Sequence, residues 1–519
     1  MAYGYCTLIL DLGGVLLDWD PHSVKTLSSS QLRIIMHSET WYNLDRGLIS
    51  LDQACDVFVF GRMIDQRPSD VMEGLDQAQR SLTIKTSMVE LIQELKKLNP
   101  SLRVYVMSNI SREHFQVVQR LELPWTLFDG VFVSGHVGMR KPDPCFIKYV
   151  VNKIECDPKQ VIMVDDQAEN ICSVRSIGVQ GLLLTDDSSV NTICQTLRNL
   201  SQNAISRAEA YLEANRGKHH SVVEGSDITI RDNFAQLLIL EVTQNAGLVY
   251  FKFPSGKLHP CGRAINGTDK TTDVSMLTTV KSGLWNYFYE DPILTTRKFP
   301  ADADTTSTAY LALAESDLSE VANVQLVLDE MVTNQSPDGV MQTYFCNDRP
   351  RTNPEVCVNI LRVFYRFGRG GDSRIKQTED WVVQCLENRA CLYGDRFYTT
   401  PESFLYFVAR LYKECEGFAL KDRLLSIREA LIERINIPTN ALSLALRVAA
   451  CQEIGLEPGF YRMDLEKFLL SQEQDGGFPA GHFCSIGRTG ARIGNRGLTT
   501  ALARRILWVE EQNNSEDFW

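Results

Sequence analysis

The sequence contains no long apolar run. Nowhere in its 519 residues do about 18 apolar side chains follow one another, which is the length that a membrane-spanning helix requires. The 14 cysteines stand singly, without close pairs, and this spacing favours a reducing compartment over a disulfide framework. The first residues also lack the basic stretch that opens a signal peptide. We therefore expect a cytosolic protein without a membrane span.

An excess of positive charge is missing as well. The formal net charge is −12, whereas a nucleic-acid surface requires a basic face. Nucleic acid is therefore not the expected partner, but local arginines, lysines or a metal ion can still bind an anionic small molecule. The apolar content of 44% and the length of 519 residues are typical of a globular protein with two or three domains.

The first part of the chain alternates between short apolar strands and helical stretches. Its strands end in polar side chains, which are Asp11, then Ser108 with Asn109, then Asp165 with Asp166. Alternating strands and helices predict a parallel, doubly wound sheet with a ligand site at the carboxyl ends of its strands. The polar residues all fall at those ends.

This part resembles the haloacid dehalogenase-like hydrolase superfamily over about residues 1–200, with a helical cap at about 18–83. The resemblance implies Asp11 as nucleophile, Ser108, Asn109 and Lys141 as phosphate-binding residues, and Asp11, Asp165 and Asp166 as ligands of a Mg²⁺ cofactor. The residue types suit that chemistry, because hard carboxylate oxygens bind Mg²⁺ and a carboxylate can attack phosphorus to form an aspartyl phosphate.

One position departs from the superfamily pattern. Phosphatases of the superfamily usually have a second aspartate two residues after the nucleophile, and it serves as general acid and base. In this sequence that position is Gly13. Losing a general acid lowers a rate by about 10²- to 10⁴-fold, but a phosphate leaving group needs a proton less than an alkoxide does. We therefore predict a domain that either only binds a diphosphate through Mg²⁺ or preferentially removes its terminal phosphate.

The second part of the chain is predominantly helical from about residue 227 to residue 519. Before it, we interpret residues 201–226 as a linker that consists of a helix at about 202–216 and a polar loop with the solvated histidines His219 and His220. A pattern of helix, glutamine and Asp-Gly turn occurs twice, at Gln335 and at Gln472. Such repeats stack helix pairs and resemble the Q-W repeats of triterpene and diterpene cyclases. They predict an α/α barrel.

A pair of aspartates followed by hydroxyls begins the run Asp302-Ala-Asp304-Thr305-Thr306, which predicts a capped helix start. Two close carboxyls do not ionise together easily, so one can keep its proton near neutral pH. Helix capping alone would explain such a pair in an arbitrary sequence. The run, however, resembles the D-x-D-T-T motif of class II terpene cyclases. This implies that Asp304 protonates a terminal alkene, with Asp302, Thr305 and Thr306 as its support.

A barrel of this kind can enclose an apolar cavity whose aromatic side chains stabilise carbocations, although core packing is the commoner role of any single aromatic. The candidates for the lining are Trp285, Tyr287, Phe288, Tyr289, Tyr344, Phe345, Tyr398, Phe404 and Tyr406. In the glycine-rich segment near the end of the chain, Arg492 and Arg496 are candidates for diphosphate recognition. The alternative for that segment is a loop that satisfies its own backbone.

The two parts together resemble the drimane-type sesquiterpene cyclases. The resemblance implies farnesyl diphosphate as the substrate and a bicyclic drimane diphosphate as the product, bound through Mg²⁺ and trimmed by the first domain. Three alternatives stay open: a cyclase whose first domain does not catalyse, a phosphatase whose barrel is an interaction module, and a zinc-dependent barrel using Cys346, His482 and Cys484. The sequence also leaves four points open: which alkene isomer forms, which base removes the final proton, whether the substrate has 15 or 20 carbons, and how many phosphates the product keeps.

Overall fold

The computed structural model describes residues 5–185, 187–200, 202–259, 283–318 and 320–516. The chain divides into two compact units, with the boundary between Asn203 and Ala204. Among the described residues, no helix is both long enough and apolar enough to cross a membrane.

A parallel sheet forms the core of the first unit. The strands of this unit are β1 (Thr7–Leu10), β2 (Leu17–Asp18), β3 (Thr83–Ile84), β4 (Arg103–Ser108), β5 (Gly130–Val133), β6 (Val161–Asp165) and β7 (Gln180–Leu183). The sheet has the order β5-β4-β1-β6-β7, and Thr7 of β1 aligns with Arg103 and with Val161. All side chains of β1 are buried, as expected for a central strand covered on both faces. The carboxyl ends of β1, β4 and β6 therefore lie side by side.

Helices pack around this sheet and form a cap. The helices of the first unit are α1 (Ser29–Met36), α2 (Glu39–Asp45), α3 (Leu51–Phe60), α4 (Pro68–Arg80), α5 (Thr86–Leu98), α6 (Arg112–Val118), α7 (Ser134–Val137), α8 (Pro144–Lys153), α9 (Ala168–Ser176) and α10 (Asp187–Leu200). α1 to α4 lie between the paired strands β2 and β3 and have their own apolar core around Ile35, Phe58 and Val71. Ser28 and Ser50 start α1 and α3 with reciprocal capping boxes.

The second unit is mainly helical. Its helices are α11 (Ala204–Ala214), α12 (Asn233–Thr243), α13 (Ala303–Ala312), α14 (Glu315–Leu318), α15 (Val324–Thr333), α16 (Pro354–Arg366), α17 (Lys376–Glu387), α18 (Pro401–Glu414), α19 (Ala419–Arg423), α20 (Ile427–Ile432), α21 (Ala441–Glu453), α22 (Pro458–Leu470) and α23 (Arg496–Glu516). The helices α12, α13, α16, α18, α21 and α23 pack in that order, and α23 returns to α12 to close a ring. α11, α17 and α22 pack against members of the ring. The predicted fold class, an α/β unit followed by an all-helical barrel, is confirmed.

The polar segment at 201–226 is not a linker, which corrects the sequence interpretation. α11 packs against α23, and the strands β8 (Ser221–Val223) and β9 (Thr229–Ile230) join β10 (Cys484–Ile486) and β11 (Ala491–Gly494) in an antiparallel sheet. His219 is 2% exposed, and its carbonyl oxygen accepts a hydrogen bond from Asn495 Nδ2. The partners of this segment stand far along the chain, so local composition did not reveal its burial.

The repeated glutamines tie helix ends together. The Gln472 Nε2 donates to the Ala204 carbonyl oxygen at 3.1 Å, which joins the end of α22 to the start of α11. The Gln335 Nε2 donates to the Arg374 carbonyl oxygen at 2.9 Å. These contacts stabilise the layer of helices around the ring.

Candidate active sites

In the first unit, three carboxylates and one lysine meet at the carboxyl ends of β1 and β6. Oxygen atoms of Asp11, Asp165 and Asp166 lie within 4.8 Å of one another. The Lys141 Nζ lies 2.9 Å from Asp11 Oδ2 and 2.6 Å from Asp165 Oδ2. Lys141 itself is buried. The fold therefore brings together the residues that the sequence proposed as nucleophile, lysine and metal ligands.

Neighbouring amides hold this cluster in place. The Asp165 Oδ1 accepts hydrogen bonds from the Gln167 N–H and from Asn170 Nδ2, both at 2.9 Å. The Asn109 side chain exchanges two hydrogen bonds with the backbone of Lys141, at 2.7 and 2.8 Å. Asn109 thus positions the lysine, and its predicted contact with phosphate stays a prediction. Ser108 is buried at the end of β4.

Burial and ion pairing decide the charges of this cluster. Burial raises the pKa of the Asp11 carboxyl to about 7, although Lys141 opposes the shift. Burial also raises the pKa of Asp166. Burial disfavours the charge of Lys141, but Asp11 and Asp165 outweigh it and raise the pKa of the lysine. The site therefore keeps a permanent cation among its carboxylates.

Two glycines follow the proposed nucleophile and differ in their surroundings. Gly14 has a φ of +71°, and a Cβ there would lie 2.7 Å from the carboxyl carbon of Asp166, so the turn requires glycine. A Cβ at Gly13 would meet no atom within 4 Å. The position that the superfamily gives to a general acid is therefore open, and only the side chain is missing.

In the second unit, Asp304 lies in the first turn of α13 and is 9% exposed. Its Oδ1 accepts a hydrogen bond from Asn359 Nδ2 at 2.8 Å, and its Oδ2 accepts a short one from the Tyr398 hydroxyl. Asn359 belongs to α16, and Tyr398 stands just before α18. Three neighbouring members of the ring thus converge on one carboxyl.

The predicted support of Asp304 has a different role in the structure. Asp302 is the N-cap of α13, and its Oδ1 accepts from the Thr305 N–H at 2.7 Å. The Thr305 hydroxyl donates to Asp302 Oδ2, and the Thr306 hydroxyl donates to the Asp302 carbonyl oxygen. These three residues therefore shape the helix start, because hydroxyls this close in sequence reach the cap before they reach Asp304.

Both aspartates hold protons unusually well. Burial raises the pKa of Asp302 to about 8 and that of Asp304 to about 6. The hydrogen bonds from Tyr398 and Asn359 favour the carboxylate of Asp304, which keeps its pKa below that of Asp302. Asp304 is consequently the stronger acid of the pair, and it has two donors ready to stabilise its anion.

The orientation of Asn359 follows from a buried arginine. Arg362 Nη1 donates to Asn359 Oδ1 at 3.1 Å, so the amide must turn its NH₂ group toward Asp304. Arg362 is itself held by Glu241 and Glu414. This network makes Asn359 a fixed donor to the acid.

The Asp304 carboxyl lines a cavity of about 360 Å³. The aromatic side chains of its wall are Phe234, Tyr287, Phe299, Tyr344, Phe397 and Tyr398. The first turns of α12, α13 and α16 contribute Phe234, Thr305 and Val356, so the positive ends of helix dipoles surround the acid. An aromatic cavity with a buried carboxylic acid in its wall is suited to the protonation of an alkene.

Only some of the predicted aromatics belong to this wall. Tyr287, Tyr344 and Tyr398 line the cavity. The candidates that are absent from its lining are Trp285, Phe288, Tyr289, Phe345, Phe404 and Tyr406. Trp285, for example, packs its ring 5.5 Å from that of Phe253, as ordinary core aromatics do.

Four arginines also line the cavity, and the sequence interpretation missed them. They are Arg349, Arg351, Arg396 and Arg488. In the described part of the chain none of them forms a salt bridge, although Asp348 lies in the same lining. The guanidinium carbon of Arg349 lies 5.1 Å from the Phe299 ring centroid and 5.5 Å from that of Tyr344, which anchors it over the aromatic wall.

The arginines that the sequence favoured for diphosphate lie elsewhere. Arg492 pairs with Glu224, and Arg496 pairs with Glu473 and Asp475; neither lines the cavity. Their charges are already compensated, which corrects that assignment. The basic pair Arg349 and Arg351, directly before α16, and the polar Asn359 inside an apolar helix were the sequence signals for the residues that were missed.

Among the described residues, the one group of three side chains arranged for a metal ion is Asp11, Asp165 and Asp166. Cys346, His482 and Cys484 form no such group there. The zinc-dependent alternative therefore has no support in the described structure.

Two family profiles match the chain. The profile described as sesquiterpene cyclase astC-like C-terminal domain matches residues 205–367, and that of haloacid dehalogenase-like hydrolase matches residues 9–183. Drimenol cyclase drtB of Aspergillus calidoustus is 37% identical over 502 residues, or 96% of this chain and 87% of the relative. The chain belongs to this sesquiterpene cyclase family. It is an enzyme that joins a haloacid dehalogenase-like domain to a terpene cyclase domain.

The first unit also has relatives that lack the second. Sesquiterpene phosphatase astK of Aspergillus oryzae is 35% identical over 200 residues, which cover 38% of this chain and 98% of the phosphatase. A crystal structure of a haloacid dehalogenase family enzyme from Bacteroides thetaiotaomicron, a magnesium complex, is 22% identical and covers 36% of this chain and 97% of its own, with a TM-score of 0.30. The likeness to that structure is too low to carry an inference about the site.

Proposed function

We propose that this enzyme cyclises farnesyl diphosphate by protonation and then removes phosphate from the bicyclic product. The observation that carries the proposal is the buried acid Asp304 in an aromatic cavity that also holds four arginines without salt-bridge partners among the described residues. An acid, an apolar wall and a polyanion site in one cavity match the three parts of a prenyl diphosphate. The matching sesquiterpene cyclase profile and the name of the sesquiterpene phosphatase astK support a C15 substrate.

Asp304 starts the reaction in this proposal. Its carboxyl proton moves to the terminal alkene, two rings close, and loss of a proton from the resulting cation gives a drimane-type diphosphate. As Asp304 becomes an anion, its hydrogen bonds from Asn359 and Tyr398 become charge-assisted and strengthen. The side chains therefore stabilise the transition state more than the resting acid.

The arginines hold the diphosphate during cyclisation. Guanidinium groups form paired hydrogen bonds with phosphate oxygens, and Arg349, Arg351, Arg396 and Arg488 line the same cavity as the acid. A diphosphate bound there is fixed at one end of the substrate while the alkene at the other end is protonated. The polar head and the reacting alkene thus lie at different walls of one cavity.

The first unit supplies the phosphatase in this proposal. Its hard oxygen donors Asp11, Asp165 and Asp166, within 4.8 Å of one another, suit Mg²⁺, which would neutralise phosphate charge when bound. Asp11 attacks phosphorus, and Lys141 and Ser108 hold the transferred oxygens. Because Gly13 provides no general acid, we propose that a phosphate is the preferred leaving group.

The free thiols of the described cysteines support a cytosolic location. Gly13 also favours a second candidate, a cyclase whose first unit binds the diphosphate without cleaving it.

Product analysis tests the proposal. The purified enzyme is incubated with farnesyl diphosphate and Mg²⁺, and the products are identified by mass spectrometry before and after treatment with an added phosphatase. We expect bicyclic drimane-type products that already lack at least one phosphate before the treatment. Linear farnesol as the sole product would refute the cyclase and favour a phosphatase with an interaction module. Bicyclic diphosphate as the sole product would favour the second candidate.

A further inference from the structure

A buried glutamate lies close to the acid of the cyclase and has no basic partner. Glu355 is fully buried in the first turn of α16, and neither of its carboxyl oxygens has a hydrogen-bond partner within the described structure. It stands four residues before Asn359, so both side chains lie on the face of α16 toward Asp304. An ionised carboxylate without partners is very costly to bury, and Glu355 therefore carries its proton.

A matched residue shows what a structural glutamate looks like in this barrel. Glu402 follows Pro401 at the start of α18, just as Glu355 follows Pro354 at the start of α16. Glu402 Oε1 lies 2.9 Å from Arg434 and 3.0 Å from Arg447, so it is an ion-pair partner. The two positions have the same sequence pattern and the same burial, but Glu355 lacks the arginines. Its role is therefore different.

Glu355 also has a connection to solvent. Burial raises its pKa well above the usual value, and the neighbouring Asp395 carboxylate adds to this shift. Asp395 is exposed and lines an open depression of about 330 Å³ together with Asn353. Neither of these two residues lines the cavity that contains Asp304. Both Asp304 and Asp395 raise the pKa of Glu355, so Glu355 lies near the acid and also near a solvent-facing carboxylate.

The acid needs such a connection, because each cyclisation leaves Asp304 as a carboxylate. Water that entered through the aromatic cavity to reprotonate it could also quench a carbocation. A supply from behind the acid avoids that side reaction. The Tyr398 hydroxyl, bonded to Asp304 Oδ2, has its pKa raised first by burial and further by Asp304 and Glu355, which places it among the same groups.

We propose that Glu355 returns a proton to Asp304 after each turnover and is itself reprotonated from solvent beside Asp395. A water molecule that bridges the two carboxyls relays the proton: the O–H bond of Glu355 breaks, that of Asp304 forms, and a solvent proton then neutralises the Glu355 carboxylate. The proton that leaves the bicyclic cation balances the cycle. Glu355 acts through Asp304 and does not touch the substrate. The inference rests on the proposed cyclisation by Asp304.

Rapid-quench kinetics with farnesyl diphosphate and the full-length enzyme test this inference. Glu355→Gln removes the transferable proton and keeps the shape of the side chain. We expect its single-turnover rate, with enzyme in excess, to stay within about threefold of wild type, while the steady-state rate falls about 10- to 100-fold. A burst of bicyclic product equal to the enzyme concentration should appear. Glu355→Asp, which keeps a carboxyl, should recover part of the steady-state rate.

Two further variants separate this role from a structural one. Asp395→Asn retains an oxygen that can accept from the Phe397 and Tyr398 N–H groups, and it should show a milder fall in the steady-state rate alone. Glu387→Gln, an exposed change at the end of α17, should match wild type. Equal loss of both rates in Glu355→Gln and Asp395→Asn, or an unchanged steady-state rate, overturns the inference. Wild-type enzyme that forms no bicyclic product overturns the proposed function and this inference together.

Discussion

The two units of this enzyme each bury several carboxyl groups, but among the carboxyls proposed for catalysis only those of the first unit have a described cation beside them. Lys141 lies within 3.0 Å of both Asp11 and Asp165, and this cation opposes the rise in the Asp11 pKa that burial causes. No described basic side chain forms a salt bridge with Asp302, Asp304 or Glu355, and burial raises the pKa of all three. In the proposed mechanism the first group supplies metal ligands and a nucleophile beside a fixed cation, whereas the second group donates and returns protons.

The difference shows that residue type alone does not decide what a buried aspartate does. The first cluster stands at the ends of strands, where a lysine from a following loop reaches it. The second stands at the starts of helices, where amide and hydroxyl donors satisfy Asp302 and Asp304 without neutralising them. Removing single residues from either cluster should therefore affect separate reactions.

The largest expected effect comes from Asp304→Asn. The amide cannot donate a proton to an alkene, so we expect the rate of ring formation to fall by about 10³-fold or more. Phosphate release from a supplied diphosphate should persist, because the first cluster is intact. Quantification of bicyclic product and of inorganic phosphate from the same reaction measures both. Asp329→Asn, an exposed change on α15, is the control, and ring formation by Asp304→Asn near the wild-type rate would contradict the assignment.

The mirror experiment is Asp11→Asn. Without the nucleophilic carboxylate, phosphate release should fall by about 10³-fold, whereas ring formation should stay within about twofold of wild type. Mass spectrometry should then find the bicyclic product as its diphosphate. Asp52→Asn, exposed in the cap, serves for comparison. If Asp11→Asn also stopped ring formation, the two clusters would not act independently.

The arginines of the cavity should matter for binding. Arg349→Gln and Arg396→Gln each remove a charge-assisted contact to the diphosphate, and we expect KM for ring formation to rise about tenfold or more. Arg492→Gln is a matched control outside the cavity and should change KM by less than about twofold. Steady-state kinetics of the three variants decide the point. Equal effects of all three would indicate general charge instead of a site.

The pH dependence should also differ between the two reactions. Ring formation needs the protonated form of Asp304, whose pKa burial raises to about 6. Because the protonated fraction falls tenfold per pH unit above the pKa, kcat/KM for ring formation should fall about tenfold from pH 7 to pH 8. A rate profile with phosphate release followed in parallel measures this. A flat profile for ring formation over that range would show that the acid has a much higher pKa.

The smallest expected effect comes from Gly13→Asp, which tests the role of the missing general acid in the first cluster. Gly13→Asp adds the general acid that the superfamily usually has, at a position where a Cβ would meet no atom within 4 Å. Hydrolysis of an alkyl monophosphate should rise about tenfold or more, while diphosphate cleavage changes little. The ratio of the two rates is the measurement. Gly13→Asn, with the same size but no transferable proton, should leave the ratio as in wild type.

Much of the fold and of the first site could be predicted from the sequence, because both depend on local sequence patterns. Strands ending in Asp11, Ser108 and Asp165 predicted the parallel sheet and its ligand edge, since the order of elements limits the topology. The run at Asp302 predicted a capped helix start. The segment at 201–226 misled the interpretation, because its partners in α23 and β11 are nearly 300 residues away.

The sequence by itself determined the two fold types, the identity of the acidic motifs and the missing general acid at Gly13, because these depend on short-range order along the chain. Only the tertiary structure decided which side chains surround Asp304. Asn359, Tyr398, Glu355 and the cavity arginines come from separate parts of the second unit, and closure of the ring brings them together. The physical reason is burial, which depends on residues that are distant in the sequence. Burial raises the pKa of carboxyls that would otherwise be ordinary residues at the start of a helix.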